Sequence, residues 1–149
     1  MKKLLLPALV ALALLGATFA TSNRAHAAPA FSPDLGSPGI LIASQATLLN
    51  DGSNPGELDV TVSYVCPSTT TAPSIDVSVT ETAAADGTTA TGTGSVPLIN
   101  CDGTAHNVAV DVATTVYPQF NLGAATATAT LLSGTTTVVS TTSTIRIAA

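Results

Sequence analysis

From residue 40 to the C-terminus, apolar and polar residues alternate in short runs, the two-residue period of half-buried strands. The clearest run is Glu57 to Cys66, with Leu58, Val60, Val62, Tyr64 and Cys66 on one face and Asp59, Thr61 and Ser63 on the other. Ser74 to Thr82 repeats it, setting Ile75, Val77 and Val79 against Asp76, Ser78 and Thr80. His106, Val108, Val110 and Val112 share a parity, as do Ala125, Ala127, Ala129 and Leu131, and then Val139, Ile145 and Ile147. Ile40 to Leu49 opens the series. Thr88 to Asn100 is the weakest member, because Gly92, Gly94 and Pro97 suit only an edge or bulged strand.

Turn formers separate these runs about every ten residues, most densely from Asn50 to Gly56. Asp102-Gly103 is a pair favoured in tight hairpins, since both residues tolerate positive φ. No stretch after residue 39 holds a helical apolar period. The pattern predicts an all-β domain over 40–149, an antiparallel two-sheet sandwich of about seven strands with immunoglobulin-like topology. The alanines at 125, 127 and 129 imply sheets that approach closely or a neighbour that fills the space, because a void there would be destabilising.

The N-terminus follows a different logic. Lys2 and Lys3 precede an apolar run to Ala20, and Ala25-His26-Ala27 supplies small residues at −3 and −1, so 1–27 is expected to be a signal peptide cleaved after Ala27. Pro7 interrupts the apolar run, which disfavours an uncleaved span. Residues 28–39 carry Pro29, Pro33, Gly36, Pro38 and Gly39 and should form a flexible lead-in. Cleavage removes three of the four basic residues and leaves Arg146 against nine carboxylates, a formal charge of −8. Such a chain has no basic footprint for nucleic acid or anionic membrane. The expected location is extracellular, with a protein or polysaccharide as partner.

Cys66 and Cys101 are the only cysteines. With strand direction alternating from the second strand onward, both fall at the same end of the domain, and export to an oxidising compartment favours their pairing. The closed loop would contribute about 3 to 4 kcal/mol in the chain-entropy model. The short spacing and the absence of Trp set the pair apart from an antibody-type bridge.

Val62, Tyr64 and Cys66, followed by Cys101, Asp102, Gly103, Thr104 and His106, form a V-x-Y-x-C and C-D-G-T-x-H pattern in the middle third of the chain. In this it resembles a group of small exported actinobacterial proteins. The resemblance implies export and a bridged β-fold, and it carries over no activity.

Candidate chemistry is sparse. His106 is the only imidazole left after cleavage, so a Ser-His-Asp arrangement would have to use it, and no Gly-x-Ser-x-Gly elbow accompanies it. Zinc lacks ligands once the cysteines pair. Asp51, Glu57 and Asp59 are scattered carboxylates, and Pro55 and Val62 break the match to a calcium loop. Glu57 and Glu81 are the carboxylates available for glycoside hydrolysis, without the aromatic platforms that sugar hydrolases present. His106, Tyr117 and Phe120 remain as binding candidates, the last two as exposed anchors or as plugs of the core. No catalytic residue, metal or cofactor is assigned. The expected function is a non-enzymatic binding or structural module, associated with the cell wall. An inhibitor of an extracellular hydrolase presenting the 67–73 loop is the alternative, and self-assembly through Thr-rich faces with free strand edges is the third reading.

Overall fold

The computed structural model describes residues 37–49, 56–82, 89–116 and 118–149; the side chain of Val116 is not described. The expected signal peptide, most of the lead-in, Asp51 and Tyr117 lie outside these residues. Seven strands form: β1 (Gly39–Leu49), β2 (Glu57–Val65), β3 (Pro73–Glu81), β4 (Thr91–Pro97), β5 (Ala105–Val116), β6 (Gly123–Ser133) and β7 (Thr136–Ala148). Alternation translates into burial along most of the strands, but the end of β2 is covered on both faces, with Ser63 of the expected polar face 2% exposed and bonded to Asn107. Leu58, Val60 and Val62 of β2, Ile75, Val77 and Val79 of β3, and Ala125, Ala127, Ala129 and Leu131 of β6 are buried in one core. The small alanines share that core with Ile40, Ile145 and Ile147, larger residues that occupy the space a void would otherwise leave.

The strand order is β1-β2-β5-β4-β3-β6-β7, closed into a barrel. This corrects the expected two-sheet sandwich, in which both sheets would keep free edges. Two seams close the ring. β7 runs parallel to β1 through Gln45↔Arg146, Ala46↔Ile147 and Thr47↔Ala148. β4 pairs with β5 through Thr91↔Val116, Gly92↔Thr114 and Thr93↔Ala113, with a bulge between Thr91 and Gly92. The remaining pairings are antiparallel and longer, uniting β1-β2-β5 on one side and β4-β3-β6-β7 on the other. Period-two alternation is the same in a sandwich and a barrel, because both turn one face inward; closure depends on the seams.

The glycines that weakened Thr88 to Asn100 as a strand make the β4–β5 seam. A Cβ on Gly94 would lie 2.2 Å from the Asp111 carbonyl oxygen, and one on Gly92 would lie 2.6 Å from that of Ala113 and 2.8 Å from the Phe120 ring. Backbone thus approaches backbone where no side chain fits. Phe120 is 3% exposed and packs over Gly92, so it plugs the barrel and is removed from the candidate surface anchors.

Candidate functional site

The register puts the starts of β1, β3, β5 and β7 and the ends of β2, β4 and β6 at one end of the barrel. Cys66 and Cys101 join there in a disulfide with a Cα–Cα distance of 4.9 Å. Cys66 is fully buried, as its parity with Leu58 to Tyr64 requires.

Around the bridge the chain is bonded into fixed loops. The 98–104 connection is a wider loop than the tight hairpin expected from Asp102-Gly103. Gly103 adopts φ +82° and its N–H donates to the Cys66 carbonyl at 3.0 Å. Asp102 acts as a cap: its Oδ1 accepts from the Thr104 N–H at 2.9 Å and the Thr104 hydroxyl at 2.6 Å, while Asn100 Nδ2 donates to Oδ2 at 3.2 Å. The Thr104 hydroxyl first, then a bond to His106 Nε2 and the Thr104 N–H, hold the Asp102 carboxyl well below the usual carboxylate range.

His106 sits opposite Tyr64 across β2 and β5, with ring centroids 5.6 Å apart. Its Nε2 lies 2.9 Å from Asp102 Oδ1 and 3.1 Å from Thr104 Oγ1. A proton relay needs the carboxylate on one imidazole nitrogen and the nucleophile on the other. Here Asp102 and the one nearby hydroxyl converge on the same nitrogen, which makes a loop-capping cluster. Tyr64 is buried, and burial above all pushes its phenol pKa up, with the Asp102 charge adding to it. Glu57 and Glu81 lie at the far end, and Glu81 is buried at 6% exposure.

The 67–73 loop is pinned at several points. Thr70 N–H donates to the Pro67 carbonyl, Thr71 exchanges bonds with Ser133, and Gly134 N–H donates to the Ala72 carbonyl at 3.2 Å. Ile99 N–H donates to the Pro73 carbonyl at 3.2 Å and ties this loop to the next. Among the described residues, the two non-glycine residues with positive φ flank that tie: Ala72 at 44° and Leu98 at 55°. Leu98 is 80% exposed, between Pro97 and the buried Ile99. Sequence reasoning missed it; the available signal was a branched apolar residue stranded outside any alternation.

A second surface lies on the outer face of β4-β3-β6-β7. The register aligns Thr91, Thr80, Thr126 and Thr144 in one row, Thr93, Ser78, Thr128 and Thr142 in the next, and Ser95, Asp76, Thr130 and Ser140 in the third. All are exposed or half-buried. Thr128 bonds Thr142 and Thr130 bonds Ser140, each at 2.9 Å, and Ser95 donates to Asp76 at 2.6 Å. Across β3, β4 and β6 the face dips into an open groove of about 410 Å³ lined by Asp76, Ser78, Thr93, Ser95, Thr128 and Thr130. The Thr rows were legible in the sequence, but their cross-strand alignment was not.

On the opposite flank Asp59 and Asp111 face each other across β2 and β5. Asp59 Oδ1 is buried without a hydrogen-bond partner, and desolvation first, then the Asp111 charge, raises the Asp59 pKa. Among the described residues no three His, Cys, Asp or Glu side chains gather around a point where a metal ion would fit. Compared with protein-family models and with curated proteins, the chain matches none.

Proposed function

We propose that this chain is an exported, non-enzymatic binding module that holds a neutral polysaccharide of the cell wall against its hydroxyl-covered face. The observation that carries the reading is the three-row array on β4-β3-β6-β7 with its central groove. Hydroxyls both donate and accept, so they match the hydroxyls of a sugar chain at many points, and Asp76 adds a strong acceptor to the groove lining. No Lys or Arg lines the groove, which disfavours anionic polymers. Without an aromatic platform each contact is weak, and affinity would come from repetition along the polymer. The bridge between Cys66 and Cys101 is compatible with an oxidising, extracellular location.

Electrophoresis through gels cast with neutral galactan, α-glucan or β-glucan tests the proposal. Retardation by at least one, weakened by Asp76→Ala and by Thr128→Leu, which would fill the groove, is the expected result. Unchanged mobility in all three gels would overturn it.

The alternative is an inhibitor of an extracellular hydrolase. It is favoured by the 67–73 loop, which follows Cys66 directly and is pinned to Ile99, to Ser133 and to Gly134 as a rigid inhibitory loop would have to be. Shortening that loop should then abolish inhibition of hydrolases in culture fluid. Self-assembly by strand addition has less support, since every described strand is paired on both sides over part of its length.

A further inference from the structure

We infer that Leu98 is the anchor of a second site, at the disulfide end, where it inserts into an apolar pocket on a protein partner whose rim is basic. The site is separate from the polysaccharide face and does not depend on it.

Internal physics disfavours leucine at this position. A left-handed backbone brings the Cβ of an L-residue against its own carbonyl, which Gly avoids and Asn tolerates. At φ 55° Leu98 bears that strain. Its side chain is 80% exposed, so it gains little by burial in return. The backbone conformation itself has a clear internal cause. Ile99 must turn into the core, and its N–H must reach the Pro73 carbonyl. Glycine or asparagine would meet both demands with less strain and less apolar surface in water, so the leucine side chain is accounted for by something outside the chain.

The surroundings fit such a role. Three residues on, Cys101 fixes the loop covalently, and Ala72, also at positive φ, sits across the Ile99–Pro73 tie. A side chain held this way loses little freedom when a partner closes over it. Leu122, the other exposed leucine among the described residues, is 61% exposed, lies at the opposite end and is not at positive φ. The partner's charge follows from the same loop. Asp102, in the same loop, keeps an exposed carboxylate that is bonded to Thr104 and His106, and the only described Lys or Arg, Arg146, belongs to the far end of the barrel. A pocket rimmed by Lys or Arg complements this end; an acidic rim or an anionic bilayer does not.

The test is crosslinking with the full chain carrying a diazirine amino acid at position 98 or, as control, at position 122, irradiated in culture fluid and on washed cells of the producing strain. The expected result is a protein adduct from position 98 that position 122 does not give. Excess wild-type chain suppresses it, excess Leu98→Asn or Leu98→Gly chain does not, and its yield falls as salt rises. Both variants should keep or raise the melting temperature. The inference is overturned if positions 98 and 122 give the same adducts, if the variants compete as well as wild type, or if both variants lower the melting temperature, which would give Leu98 a role in the fold. Loss of polysaccharide binding by Asp76→Ala would leave the adduct unchanged, so the two sites fail independently.

Discussion

Replacing Cys66 and Cys101 together by Ala should destabilise the domain by about 4 to 5 kcal/mol. The sequence separation across the bridge is 35. Opening a loop of that size returns about 4 kcal/mol of chain entropy to the denatured state at room temperature. The buried Cys66 sulfur leaves a small gap in the core, worth about 1 kcal/mol more. Domains of this size are stable by about 5 to 15 kcal/mol, so the variant should fold marginally. Urea unfolding of the oxidised, the reduced and alkylated, and the double-alanine chains measures both the loss and its origin. If the bridge acts by restricting the unfolded chain, the slope of free energy against urea rises when it is removed, because the denatured state expands. A loss under about 1 kcal/mol with an unchanged slope would refute this reasoning. It would mean that the bonds from Gly103 to Cys66 and from Ile99 to Pro73 already hold the end together. Alkylation without prior reduction should label neither cysteine.

Gly94→Ala should cost about 3 kcal/mol in chemical denaturation, since its methyl meets the Asp111 backbone, which cannot yield as a flexible side chain would. Gly103→Ala, with open space but φ +82°, should cost only about 1 kcal/mol; equal losses would show that the β4–β5 seam is loose. Asp59→Asn should stabilise at pH 7 by a few tenths to about 1 kcal/mol, by removing a like-charge cross-strand pair. Because the folded pKa of Asp59 is raised, wild type loses stability as pH climbs from the usual carboxylate range through that raised value, and the gain should vanish in acid. The Asp102 pKa is depressed, so its contribution is present above the usual carboxylate range and fades as pH falls towards the lower folded value; Asp102→Asn should flatten that acid limb in a melting series from pH 7 to pH 2.

The strands were readable because each buries one face, and a period of two survives whatever the sheet does next. Leu58, Val60, Val62 and Tyr64, and Ile75, Val77 and Val79, point inward by parity alone. Closure was not readable. It rests on three parallel residue pairs between β1 and β7 and on two glycines whose value lies in what they lack, and neither leaves a mark on local alternation. Asp102-Gly103 predicts a tight turn because the same residues serve there; in the folded chain the carboxylate caps a longer loop, and only tertiary contact with Cys66 decides between the two. Phe120 had two sequence readings, and burial over Gly92 selected the plug. Leu98 had none, because the sign of its φ is set by Ile99 and Pro73 from across the barrel end.

The parallel seam between β1 and β7 also joins the first strand of the ring to the last. Gln45 meets Arg146 and Thr47 meets Ala148, partners about a hundred residues apart, so the ring is completed by its most non-local contacts. When the chain emerges from its N-terminal end, Cys66 and Cys101 are both present while β6 and β7 are still missing. β1, β2 and β5 can then assemble around the bridge and wait as an open half-ring, its apolar face uncovered. Any agent that delays the arrival of the last strand lengthens the life of that half-ring, and with it the interval in which two chains can exchange their C-terminal strands.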